Sequence, residues 1–332
     1  MPENNATCFG CLKTRVLTRE HILPQAIGGK LKAKIYCKGC NDTFGHQLDD
    51  EISRCFGHFA TILGIRRERG SNQPFKVQEI KSGTNLLSDG KSLRRKDPLV
   101  EYQIDDDGRT LKSANVVART EDEVRKIIES LGNKYRLKHK PEPFFEYHPG
   151  PTETKNDFVF DTGVLRRSVA KVAYSFLCYK LLDSMVLSSA FDEVRAYIVN
   201  GATTDLSSPN FVHTAFMTDY CRPLHKVYVR LDRQKDMVVG YVMFFGTFRY
   251  TILLSKTSRS TFEWPCLDYT IDPVTSRVIG GNPNFRAPSI DQNDILKPRQ
   301  SLQFVREEIY KGHKMLETYV EGYEISRVEA EK

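Results

Sequence analysis

Four of the chain's eight cysteines form two C-x-x-C pairs, Cys8 with Cys11 and Cys37 with Cys40, separated by 25 residues. Two such pairs supply four thiolates, the donor set of one closed tetrahedral zinc site, whereas dithiol redox chemistry needs only one pair. A closed site leaves no position open for a substrate. Any chemistry must then belong to the residues it brackets. Between the pairs lie Glu20 and His21, followed by Ile22, Leu23, Pro24 and the doublet Gly28-Gly29, and Asn41 directly follows the second pair. A carboxylate beside an imidazole offers a cation ligand and a proton acceptor. The same pair also serves as an ordinary salt bridge on a strand, and an asparagine at that place also serves as a helix cap.

The elements that must position these groups are legible from pattern. Residues 17–23 read as a strand ending at Pro24, which lacks a backbone donor. Gly28-Gly29 signals a tight turn, and Ile35-Tyr36 leads into the second cysteine pair, which makes a hairpin. From Asn41 the apolar residues Phe44, Leu48, Ile52, Cys55, Phe56, Phe59 and Leu63 recur at steps of three and four, the period of a helix. Asn41 or Asp42 is its expected cap. Asp49, Asp50 and Glu51 come early and Arg66, Arg67 and Arg69 late, as the helix dipole favours; Gly64 is an expected break. So small a unit has little core, and zinc binding would contribute folding free energy on the order of 10 kcal/mol.

Cys8, Cys11, Glu20, His21, Pro24, Gly28, Gly29, Cys37, Cys40 and Asn41 together resemble the HNH endonucleases, the ββα-metal family, in their four-cysteine form. The resemblance covers roughly the first 60 residues. It implies a small zinc-stapled ββα-metal module in which His21 is the general base, Glu20 the acidic metal ligand and Asn41 a second ligand. It also implies one catalytic Mg²⁺ or Mn²⁺ beside the structural Zn²⁺, and hydrolysis of nucleic-acid phosphodiesters. Double-stranded DNA is the expected partner, cut to leave a 5′-phosphate and a 3′-hydroxyl, with restriction or phage defence as the biological setting. Many members carry a middle asparagine on the second strand that orients the base. Residues 30–36 here read Lys-Leu-Lys-Ala-Lys-Ile-Tyr, so a backbone carbonyl would have to hold His21. His46 lies five residues past Asn41, about 140° round the helix, and is expected to point elsewhere. Lys30, Lys32 and Lys34 are candidates for phosphate contact or for plain solvation.

The chain has 332 residues, a formal net charge of +7 and 40% hydrophobic residues, which suits a globular protein and is compatible with nucleic acid. Arg66-Arg67-Glu68-Arg69 and Arg94-Arg95-Lys96 are basic clusters that could meet phosphates or only water. Cys55, Cys178, Cys221 and Cys266 read as ordinary core thiols. The N-terminus has no signal-peptide character. The most apolar stretch, 169–191, is interrupted by Lys171, Lys180 and Asp183, which argues for a buried helix and not a membrane span. A reducing, cytoplasmic setting follows.

The expected class is α+β: the zinc-stapled module at 1–70, a small α+β module at 71–134, a proline-rich linker at 135–160 and a larger α+β domain with an antiparallel sheet at 161–332. In the second module, Asp105-Asp106-Asp107-Gly108 reads as a hairpin turn, since no acidic residue completes a calcium loop. Thr120 opens a helix that Gly132 would end. In the last domain, helices are expected over 165–181, 191–199 and 300–322, and strands over 212–217, 226–231, 237–245 and 247–254. No phosphate loop or dinucleotide fingerprint appears there, and its expected role is substrate recognition or control of activation. Two other readings stand beside the nuclease: a non-catalytic zinc-ribbon protein that binds nucleic acid, and a protein-interaction module.

Overall fold

The computed structural model describes residues 5–68, 70–137, 144–146, 153–181, 185–201, 205–212, 222–257, 266–279 and 291–330, with side chains through 320. The chain opens with β1 (Asn5–Thr7), β2 (Thr14–His21) and β3 (Lys32–Cys37), an antiparallel sheet in that order. Between β2 and β3 the chain turns through Gly29, where a Cβ would lie 1.9 Å from the Leu23 carbonyl oxygen, so no larger residue fits. A helix follows without interruption: α1 (Lys38–Phe44), a π turn (Gly45–Asp49) and α2 (Asp50–Ile62). It starts at Lys38, three residues before the expected cap, and so places Asn41 inside its first turns. Phe44, Leu48, Ile52, Phe56 and Phe59 are all buried, as their spacing predicts.

The next strands are β4 (Phe75–Glu79), β5 (Asn85–Ser88), β6 (Leu93–Arg95), β7 (Leu99–Ile104) and β8 (Thr110–Val117), then α3 (Glu121–Lys134), β9 (Arg136–Leu137) and β10 (Thr154–Lys155). They make two sheets, ordered β10-β4-β5-β6 and β7-β8-β9. The aspartate run is a turn: Asp107 accepts the backbone N–H groups of Arg109 and Thr110 at 2.9 and 2.8 Å. The Thr120 hydroxyl caps α3 by accepting the Glu123 N–H at 3.2 Å, and the Glu123 carboxylate accepts the Arg119 N–H at 2.9 Å. Gly132 lies within α3 and does not end it.

The remaining elements are α4 (Gly163–Leu181), α5 (Asp192–Asn200), β11 (Ser207–Pro209), β12 (His225–Asp232), β13 (Met237–Phe244), β14 (Phe248–Ser255), β15 (Cys266–Asp272), β16 (Arg277–Ile279), α6 (Gln292–Leu296) and α7 (Leu302–Ala330). The strands form one antiparallel sheet ordered β11-β14-β13-β12-β15-β16. β15 and β16 extend it beyond the strands that the sequence pattern predicts. The strand expected over 212–217 lies, past Val212, outside the described residues. No helix among the described residues is long and apolar enough to cross a membrane.

Residues Met1–Asn72 and Val159–Lys332 form one compact unit, and Gln73–Phe158 a second. The expected division set 1–70 apart from 161–332, but the structure joins them around one core. Phe56 and Phe59 of α2 pack on Phe248 with ring centroids at 4.9 and 5.2 Å. Tyr36 of β3 hydrogen-bonds Ser175 of α4 at 2.9 Å. The fully buried His225 of β12 donates from Nε2 to the Ile27 carbonyl at 2.7 Å and accepts the Phe245 N–H at Nδ1, 3.1 Å away. The physical reason is area. The buried side of the N-terminal helix is too broad for a three-stranded sheet to cover, and the apolar sheet and α4 complete its burial. Residues 154–155, expected as linker, pair with β4 in the second unit.

Candidate functional site

The four cysteines of the two pairs come together, with all Sγ atoms within 4.8 Å of one another. Cys11 and Cys37 stand 3.9 Å apart. A tetrahedral ion with Zn–S bonds of about 2.3 Å sets sulfur–sulfur distances of about 3.8 Å, so the donor set fits zinc in both chemistry and spacing. The Cys37 N–H donates to Cys8 Sγ at 3.2 Å, and the Phe9 N–H to the Ile35 carbonyl at 3.0 Å, which fixes the first knuckle on β3. Two thiolates lie on the turn between β1 and β2, and two at the junction of β3 and α1, so one ion would hold hairpin to helix. Cys55 and Cys178 are free thiols. Burial raises the Cys55 thiol to about 12 and keeps it inert. Cys221 lies outside the described residues.

β2 carries both members of the Glu20-His21 pair, and strand alternation sends them to opposite faces. Glu20 faces inward and is buried. His21 faces outward with its side chain 27% exposed. Its Nε2 is buried without a hydrogen-bond partner among the described residues and lies 3.9 Å from a carboxylate oxygen of Glu68, which pairs with Lys32 at 2.6 Å. Burial and then the Lys32 ammonium hold the imidazole below its ordinary range, against the pull of Glu68 and Asp49. At neutral pH the ring is therefore uncharged, the form a general base requires.

The face that bears His21 is basic. His21 lies opposite Lys32 in the strand register, and Arg19 opposite Lys34. Arg19 and Lys34 are exposed neighbours of like charge, an arrangement that destabilises the sheet unless an anion approaches. Arg19 was not among the basic residues that the sequence pattern singled out; its position one strand across from Lys34 became visible only with the register.

On the inner face lies an ion cluster. The fully buried Lys171 of α4 pairs with the Glu20 carboxylate and lies 3.0 Å from both carboxylate oxygens of Asp49. Its ammonium is also 3.5 Å from the His21 carbonyl. Burial, together with the neighbouring Asp49 carboxylate, pushes Glu20 up to about 7 despite the pull of Lys171. Burial also raises Asp49, while the two carboxylates outweigh desolvation and keep Lys171 charged. Glu20 is thus engaged in a buried ion pair. Asp49 and Lys171 were not among the expected site residues. Their signals in the sequence were an acid in the helix's first turns and a lysine interrupting an apolar stretch; neither identifies a partner.

Asn41 Nδ2 donates to the Arg19 carbonyl and to Thr18 Oγ1, both at 3.1 Å. The carbonyl can only accept, which fixes the amide's orientation and turns Oδ1 away from β2. His46 is 86% exposed beside Asp50 and joins none of these groups. Arg67 is drawn to Asn72 at 3.1 Å, and Arg94, in the second unit, to Asp89 at 2.7 Å. Arg69 lies outside the described residues.

The HNH endonuclease family model matches residues 8–57, the span of both cysteine pairs, Glu20, His21, Asn41 and most of α2. No curated protein and no solved structure matched the chain. Residues 8–57 are thus similar to the HNH endonucleases and form an HNH-like module with a four-cysteine cluster, and a larger α+β region follows it.

Proposed function

We propose that the chain is a metal-dependent HNH endonuclease that hydrolyses phosphodiester bonds of nucleic acid, double-stranded DNA foremost. The observation that carries this reading is His21: an imidazole at the end of β2, inside the family match, with a buried ring nitrogen that has no hydrogen-bond partner among the described residues. His21 takes the proton of the attacking water at Nε2. Arg19, Lys32 and Lys34, on the same face, hold the phosphate backbone against it. Oxygen donors suit a hard cation, and the family resemblance implies Glu20 and Asn41 as ligands of Mg²⁺ or Mn²⁺, but here Lys171 occupies the Glu20 carboxylate and Asn41 Oδ1 turns away from β2, so the two do not form one ligand set as they stand. Such an ion, when bound, supplies charge neutralisation at the phosphate and at the leaving oxygen. Zinc at Cys8, Cys11, Cys37 and Cys40 has a structural role and takes no part in the reaction. Restriction or phage defence is the biological setting that the family suggests.

The test is plasmid cleavage by the wild type and His21→Ala with Mg²⁺, Mn²⁺ or EDTA, with zinc content measured in both proteins. Metal-dependent nicking that disappears in a zinc-replete variant supports the reading; equal cleavage by both proteins overturns it. One observation favours a second reading, a zinc-ribbon protein that binds nucleic acid without cutting it: Lys171 already occupies the Glu20 carboxylate. On that reading neither protein cleaves, and both bind DNA equally. Plaque counts on cells carrying the wild type or His21→Ala test the defence setting, and equal counts would remove it.

A further inference from the structure

The family match ends before α4, yet α4 places a charged residue at the inner side of the module. Lys171 lies on a helix whose neighbouring residues Val169, Ala170, Val172 and Ala173 are all buried and apolar. A methionine would fill the same place without the desolvation that an ammonium suffers there. The three ammonium protons instead meet three acceptors: the Glu20 carboxylate, the Asp49 carboxylate at 3.0 Å and the His21 carbonyl at 3.5 Å. Two of these belong to consecutive residues at the end of β2, and the third to the last residue of the π turn. From the other side, Asn41 holds the carbonyl of Arg19. The last three residues of β2 are therefore gripped at Arg19, Glu20 and His21, and β3 contributes no asparagine to orient the histidine.

We infer that Lys171 is a positioning residue for His21, supplied by the C-terminal region: one ammonium fastens the end of β2 to the π turn and so sets the direction in which the imidazole faces. The inference rests on the nuclease reading for its catalytic consequence, but the geometry it asserts can be measured without cleavage. Lys171 is not itself a base, because two carboxylates surround it and hold its proton.

The experiment compares full-length, zinc-replete wild type, Lys171→Met and Lys171→Arg. Hydrogen–deuterium exchange is followed by mass spectrometry, and steady-state plasmid cleavage is measured with Mg²⁺. In Lys171→Met, exchange should quicken about tenfold or more in peptides covering 18–23, with peptides of β13 unchanged. The kcat should fall about 100-fold with KM within about twofold, as expected for a misaligned catalytic group. Lys171→Arg, which keeps the charge, should recover part of both. Should Lys171→Met fail to fold, Lys171→Met/Asp49→Asn removes one charge of each sign and is read in the same way. Exchange that is unchanged over 18–23, or that quickens equally throughout the first unit, overturns the inference. A wild type that does not cleave overturns the nuclease reading, and the exchange comparison still decides the role of Lys171.

Discussion

The cysteine cluster and the Glu20–Asp49–Lys171 cluster hold the same hairpin, but they draw on different lengths of chain. The first takes all four of its ligands from residues 8–40. The second joins Glu20 to a lysine 151 residues away. The first would bond soft thiolates to a metal and so hold strand against helix; the second sets two carboxylates around one ammonium where water is excluded. Hairpin and helix are thus stapled locally. The facing of the residue that would do the chemistry depends instead on the larger body on which the module sits.

The largest effect should come from the local staple. Cys40→Ser, or a strong chelator, should remove the zinc and cost a large part of the N-terminal fold, on the order of 10 kcal/mol for isolated zinc-dependent units. Metal analysis with limited proteolysis reads this directly. A zinc-free protein that resists the protease as the wild type does would mean that the C-terminal region alone holds the hairpin. The long-range cluster should matter less to stability than to geometry. Lys171→Met leaves two carboxylates buried without their cation and should cost about 3–5 kcal/mol, while Glu20→Met/Asp49→Leu/Lys171→Met should return to near wild-type stability. Denaturant melts of the three proteins test that contrast. A triple variant as unstable as the single one would show that the cluster is needed for folding itself.

A third connection sharpens the comparison, because it is long-range but uncharged. His225→Leu removes one hydrogen bond from the sheet to the module, at the Ile27 carbonyl, and one within the sheet, from the Phe245 N–H, and should cost about 2 kcal/mol at neutral pH. Burial pushes His225 down to about 4 in the folded chain, below its ordinary value of 6.5. The contribution of the neutral ring is therefore fully present above pH 6.5 and lost as pH falls through about 4. The gap in melting temperature between wild type and variant should narrow over that window; a gap independent of pH would sink the assignment. The smallest effect should be on the exposed face. Arg19→Ala/Lys34→Ala should leave stability within about 0.5 kcal/mol and weaken DNA binding, lowering the slope of log affinity against log salt by about 2. An unchanged slope would show that the nucleic acid does not lie there.

The legible part of the molecule was the part with short-range logic. Two C-x-x-C pairs predict a metal site wherever the chain brings them together, and the helical period from Phe44 to Leu63 sets the buried side of α1 and α2. Thr120 could be read as a cap because capping is decided within four residues. The strands over 226–254 were found because β-branched and aromatic residues cluster there, but β15 and β16 were missed, since their mixed sequence draws its burial from neighbours already in the sheet.

The module is written in neighbouring residues: its cysteines, its hairpin, its helix, and the histidine at the strand's end. Alternation of side chains fixes that Glu20 and His21 face apart, a consequence of adjacency that needs no tertiary structure. What each of them faces depends on packing between distant parts of the chain. Lys171, Asp49 and the Arg19–Lys34 pair reach the site by packing and by register, over separations at which no pattern of spacing carries information. The physical reason is that an ion pair is specified by two positions in space, whereas a period or a cap is specified by neighbours in the chain.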